Sequence, residues 1–131
     1  MILAHNYHDA ELAGVEYSRE KASLLLAFDC VGEGVGKISC TGIRNFRLGE
    51  FGLQNVVSRL MVSTSRTFAA EDIRAHVDWA NSKDDVRRSM TDERARFFVD
   101  GISNGQLVLL VLEPSVGAEL VVVCERVEEL Q

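Results

Sequence analysis

Hydrophobic positions in the first third of the chain recur every second residue. In residues 11–17, Ala13, Val15 and Tyr17 fall on one side, and in the next run Leu24, Leu26, Phe28 and Cys30 share one face. A period of two is that of a half-buried strand, so these runs predict a hairpin joined through the polar stretch Ser18-Arg19-Glu20-Lys21. Gly32-Glu33-Gly34-Val35-Gly36 contains residues tolerant of positive φ and predicts a turn into a third strand, with Ile38 and Cys40 facing the core. Phe46, Leu48 and Phe51, punctuated by Gly49 and Gly52, read as an irregular connection pinned by aromatics. Strand character resumes over residues 56–64.

The period then changes. Between Ala70 and about Ser82, Ile73, Val77 and Ala80 stand at i, i+4 and i+7, with Glu71 and Asp72 placed to complement the dipole of a helix start. Trp79 lies off the centre of this stripe and is expected at the helix edge. Residues 89–103 admit two readings. Thr91 as N-cap, Asp92 and Glu93 in the first turn and the stripe Ala95, Phe98, Val99, Ile102 favour a helix, which is preferred. Ala95, Phe97 and Val99 would also line one face of a strand. After the turn Asn104-Gly105, two nearly unbroken apolar runs, 107–112 and 120–124, are joined through Pro114-Ser115-Val116-Gly117. Such runs imply strands buried on both faces. The expectation is one α+β domain spanning 1–131, a mainly antiparallel sheet of five to six strands with one or two helices packed on one face. The other face must meet a second sheet layer, the irregular middle segment or another subunit, and a homodimer is predicted to bury part of it.

The balance of 14 basic and 20 acidic residues, a net charge of −6, repels phosphate backbones and makes nucleic acid a poor partner. The densest basic run, Arg87-Arg88 with Arg94 and Arg96, is interleaved with Asp84, Asp85, Asp92 and Glu93, as on a solvated helix face. No membrane-spanning or signal segment is recognisable, and an odd count of three cysteines, Cys30, Cys40 and Cys124, fits reduced buried thiols and a cytoplasmic location.

Catalytic patterns are sparse. His5-Asn6-Tyr7-His8-Asp9 places two imidazoles and a carboxylate close together, the basis for an alternative reading as a metal-dependent or small-molecule enzyme using His5, His8 and Asp9. A closed zinc site needs three or four donors, and His76 is the single further histidine, so no metal is expected. Gly32-x-Gly34-x-Gly36 lacks the spacing and the following helix of a dinucleotide loop, and no cofactor is expected. Asp84-Asp85 and Glu128-Glu129 read as solvated charge at element ends.

Two stretches, His8-Asp9-Ala10-Glu11-Leu12-Ala13-Gly14-Val15-Glu16-Tyr17 and Leu112-Glu113-Pro114-Ser115-Val116-Gly117-Ala118-Glu119-Leu120, resemble segments of small bacterial immunity-type proteins of polymorphic toxin systems. Gly42-Ile43-Arg44-Asn45-Phe46-Arg47 and Gln54-Asn55-Val56-Val57-Ser58-Arg59-Leu60 are similar in character, so the resemblance covers about half the chain. It implies a non-catalytic α+β binder that neutralises a cognate toxin by occluding its active site or holding it inactive. An acidic chain suits a basic protein partner, and exposed acids around an aromatic anchor, Asp78, Trp79, Asp84 and Asp85, are the expected contact residues. A structural or regulatory homo-oligomer without a toxin partner is a further alternative.

Overall fold

In the computed structural model, which describes residues 3–82 and 90–130, the period-two runs of the first third form a three-stranded meander. Strands β1 (Glu11–Ser18), β2 (Ser23–Cys30) and β3 (Gly34–Thr41) pair antiparallel, and Leu24 opposite Cys40 and Leu26 opposite Ile38 place the expected residues on one buried face. The face assignment in β1 needs correction. The register shifts between Leu12 and Gly14, so Ala13 is the extra residue of a bulge and is exposed. Leu12, Val15 and Tyr17 then stand opposite Phe28, Leu26 and Leu24. One inserted residue reverses the alternation on one side of the bulge.

Then follow β4 (Asn45–Gly49), β5 (Val56–Val62), α1 (Ala70–Asn81), α2 (Asp92–Ser103), β6 (Val108–Val116), β7 (Glu119–Cys124) and β8 (Arg126–Leu130). The antiparallel sheet therefore has eight strands among the described residues, in the order β4-β7-β6-β5-β1-β2-β3-β8, where five to six were expected. The two additions are its edges. The stretch read as an irregular connection forms β4, with Phe46 opposite Val122 and Leu48 opposite Leu120, and the acidic C-terminal stretch forms β8 on β3.

The sheet bends into two halves. Between β1 and β5 the ladder is short: Asp9 N–H donates to the Val57 carbonyl (2.9 Å), Val57 N–H to Ala10 (2.8 Å) and Leu12 N–H to Asn55 (2.9 Å). Beyond this seam the halves face each other over a core that includes Leu24, Leu26, Phe28 and Ile38 from one and Leu110, Leu112, Leu120 and Val122 from the other. The opposite faces of β6 and β7 carry Leu109, Val111, Val121 and Val123, which pack with Ile73, Val77, Ala95, Phe98 and Ile102 of the helices. This explains the unbroken apolar runs: even and odd positions enter different cores, and each buried leucine contributes roughly 1.5–3 kcal/mol. The second face of the central strands is covered by the other half-sheet, so a second copy of the chain is not needed to cover it.

Both helices form where the 3.6-residue pattern places them. In α2 the Thr91 side chain accepts from Arg94 N–H at 3.2 Å, the capping bond expected of that threonine. The helices run antiparallel, tied by Arg74 to Asp92 (3.1 Å) and by Met90 N–H donating to Asp78 Oδ1 (3.2 Å). Among the described residues no helix is long and apolar enough to cross a membrane.

Candidate functional site

Of the four expected contact residues, Asp78 and Trp79 lie on α1. Asp78 is buried, only 4% exposed, and its carboxylate is turned inward to the Met90 N–H and towards Arg74 (3.9 Å). The expectation of an exposed acid there is overturned, because the start of α2 closes over the position. Trp79 is half-buried at the helix edge, with the Arg47 guanidinium 4.4 Å from its ring centroid and its own carbonyl accepting from Arg47 Nη1. Asp84 and Asp85 lie outside the described residues.

The N-terminal histidines turn to different partners. His8 Nδ1 donates to the Ser58 carbonyl at 2.7 Å and its Nε2 lies 3.5 Å from Asp9, in an exposed arrangement. His5 instead faces Glu129, at 3.1 Å through Nδ1. No group of three potential metal ligands occurs among the described residues. Glu129, read from sequence as solvated charge, proves to be the centre of the N-terminal contacts. Its side chain is 7% exposed and accepts from the Tyr7 hydroxyl (2.6 Å), the Ala4 and His5 amides and the His5 ring. Burial pushes the carboxyl pKa up, but these donors outweigh it and hold the group below its usual range. Burial and the adjacent carboxylate push the Tyr7 phenol well above its ordinary value. Neither group exchanges a proton near neutrality, so the pair fits a fixed anchor for the N-terminal segment better than an acid–base couple. An open cleft of about 480 Å³ lies alongside, lined by His5, Asn6, Ser58, Arg59 and Arg66 among others.

A different surface presents apolar groups to solvent. Residues 50–54 join β4 to β5, and Asn55, 4% exposed, ties them down. Its Oδ1 accepts from Gly52 N–H (2.9 Å) and Ala118 N–H (3.1 Å), while its Nδ2 donates to the Gly52 carbonyl (2.8 Å) and to Leu12 (3.4 Å). Gly117 completes the seat: its φ is +80°, and a Cβ there would fall 2.1 Å from the Gln54 carbonyl oxygen. The loop is thus fixed against the β6–β7 turn, and its tip projects Leu53, fully exposed, beside half-exposed Phe51 and close to exposed Val116. At the same end of the sheet stand Glu50, Glu119 (opposite Gly49) and Glu11 (opposite Val56). A fixed backbone carrying solvent-facing apolar groups within an acidic rim is suited to contact with another macromolecule. The Gly49-Gly52 spacing and the Pro114–Gly117 turn were visible in the sequence, but the clamp joins positions 63 residues apart.

No family model matches the chain, and no curated protein matches it. Among solved structures, an uncharacterized protein from Neisseria gonorrhoeae is similar, with 15% identity, a TM-score of 0.44 and coverage of 96% of this chain and 94% of that one.

Proposed function

We propose that this chain is a non-catalytic binding protein of the immunity type, which captures and neutralises a cognate bacterial protein toxin in the cytoplasm. The observation that carries the reading is the clamped loop with fully exposed Leu53 at its tip. Pre-ordering by Asn55 lowers the entropy cost of binding, and a leucine inserted into a pocket of the partner would act as the anchor. The acidic rim and the net charge of −6 favour a partner with basic residues around that pocket. The resemblance to immunity-type proteins points to the same class of partner.

Co-expression with the product of the adjacent gene, followed by copurification and titration calorimetry, tests the proposal. The complex is expected to form, with an association rate that falls steeply with salt. Leu53→Asp should weaken it by about 2 kcal/mol, some tens-fold in Kd, while leaving the fold intact because the side chain touches solvent alone. An adjacent product that does not bind, or one that binds the Leu53→Asp variant as tightly as the native chain, sinks the reading.

A further inference from the structure

Cys30, Cys40 and Cys124 are free and buried, and two of them meet. Cys40 on β3 and Cys124 on β7 belong to opposite half-sheets and face the shared core, close enough for Cys124 to act on the Cys40 thiol, while the Cys124 thiol itself is directed at the Val108 and Arg126 carbonyls (3.9 and 3.5 Å). Their backbones are held together one residue further on, where Glu125 N–H donates to the Thr41 carbonyl at 3.1 Å. β3 and β7 approach within 8 Å at Cα, near the roughly 4.4–6.8 Å across which a disulfide joins two Cα atoms. Thr41, Glu125 and Arg126 are exposed, so the pair lies one residue inside the rim of the molecule. Cys30 is at the other end of the β2–β3 hairpin, against Gly36 together with the Tyr7 ring.

We propose that Cys40 and Cys124 form a dithiol site that a peroxide converts reversibly to a disulfide, stapling the two half-sheets at the corner remote from the β1–β5 seam. One thiolate attacks a peroxide oxygen and becomes a sulfenic acid as the O–O bond breaks and water leaves. The second sulfur attacks the sulfenic sulfur, forming the S–S bond and releasing a second water, so two thiols are oxidised and one hydrogen peroxide is reduced. A small-molecule dithiol reverses the reaction by exchange. The neighbouring Cys124 thiol and burial push the Cys40 thiol up, so thiolate is scarce at neutral pH and oxidation is slow until the corner opens.

The test treats the full chain with hydrogen peroxide, in buffer and in urea below the unfolding transition, followed by alkylation, intact mass and peptide mapping. Free thiols should fall from three to one, with the mass lowered by two hydrogens and one linked peptide pair containing Cys40 and Cys124. The closed loop spans 124 minus 40, or 84, residues. Loop closure of that length should raise Tm by roughly 15 °C, reversed by dithiothreitol. A Cys30→Ala variant should behave identically and Cys124→Ala should form no intramolecular bridge. Three thiols persisting under both conditions, a bridge to Cys30, a link between chains, or a bridged protein with lowered Tm would each overturn the proposal.

Discussion

Replacing Asn55 by alanine removes a side chain whose polar atoms are all engaged. Three of its hydrogen bonds, to Gly52 N–H, Ala118 N–H and the Gly52 carbonyl, are 2.8–3.1 Å long, and the fourth, to Leu12, is weaker at 3.4 Å. At about 1 kcal/mol net for each good bond the loss would be about 3 kcal/mol. Gly52 is exposed and water can replace its lost partner, whereas Ala118 is buried and its N–H cannot be so rescued, which brings the expectation to about 2–3 kcal/mol. With an unfolding entropy of about 2 cal/mol/K per residue, Tm should fall by roughly 7–10 °C. Thermal melting by circular dichroism measures this, and amide hydrogen exchange at Gly52 and Ala118 should quicken selectively. Asn55→Asp is the informative companion. It keeps the shape and both acceptors but buries a charge and removes the donors, so it should be at least as damaging at neutral pH and should recover towards acid as the carboxyl takes up a proton. An Asn55→Ala protein melting within 2 °C of the native chain, with unchanged exchange at the two amides, would refute the clamp.

The same loop should reject Gly117→Ala, because the added methyl meets backbone and the φ of +80° is strained for alanine; a Tm drop of roughly 10 °C is expected, with little further loss when combined with Asn55→Ala. Glu129 gives a pH signature. Its folded pKa lies below its unfolded value of about 4.5, so its contribution is fully present above that pH and is lost as pH falls through the folded pKa. Glu129→Gln should therefore cost about 1–2 kcal/mol at neutral pH and flatten the acid limb of the Tm profile. A variant with the native acid limb would remove Glu129 from the account.

What could be read from the sequence divides along physical lines. β1 to β3 and both helices bury a face through residues close in sequence, so their periods were legible, and Thr91 announced its own cap. β4 and β8 were not, because an edge strand needs one neighbour only and is kept short and polar: Asn45-Phe46-Arg47-Leu48-Gly49 and Arg126-Val127-Glu128-Glu129-Leu130 look like connections until β7 and β3 lie beside them. The bulge at Ala13 defeated simple alternation. Side-chain roles fared worse. Asp78 carried no sign that Met90 would cover it, and Glu129 none that Tyr7 would reach it from 122 residues away. The Asn55 clamp draws on Leu12 and Ala118, from opposite ends of the chain. A polar residue becomes a structural centre through partners that no local window contains.

The two-halved sheet also dictates an order of events during synthesis. Neither half can be finished from early residues alone, since β4 waits for β7 and β3 acquires its outer neighbour from β8. A ribosome that has delivered residues 1–107 has released a meander with β5 at its edge, an unpaired β4 and two helices, with the apolar faces of Leu24, Leu26 and Phe28 still lacking their opposing layer. Closure therefore falls to the stretch 108–130, which supplies strands to both halves at once. Folding should be deferred until β6 to β8 have emerged, and a nascent chain stalled before β6 should be a substrate for holding chaperones, with no protected half to set against degradation.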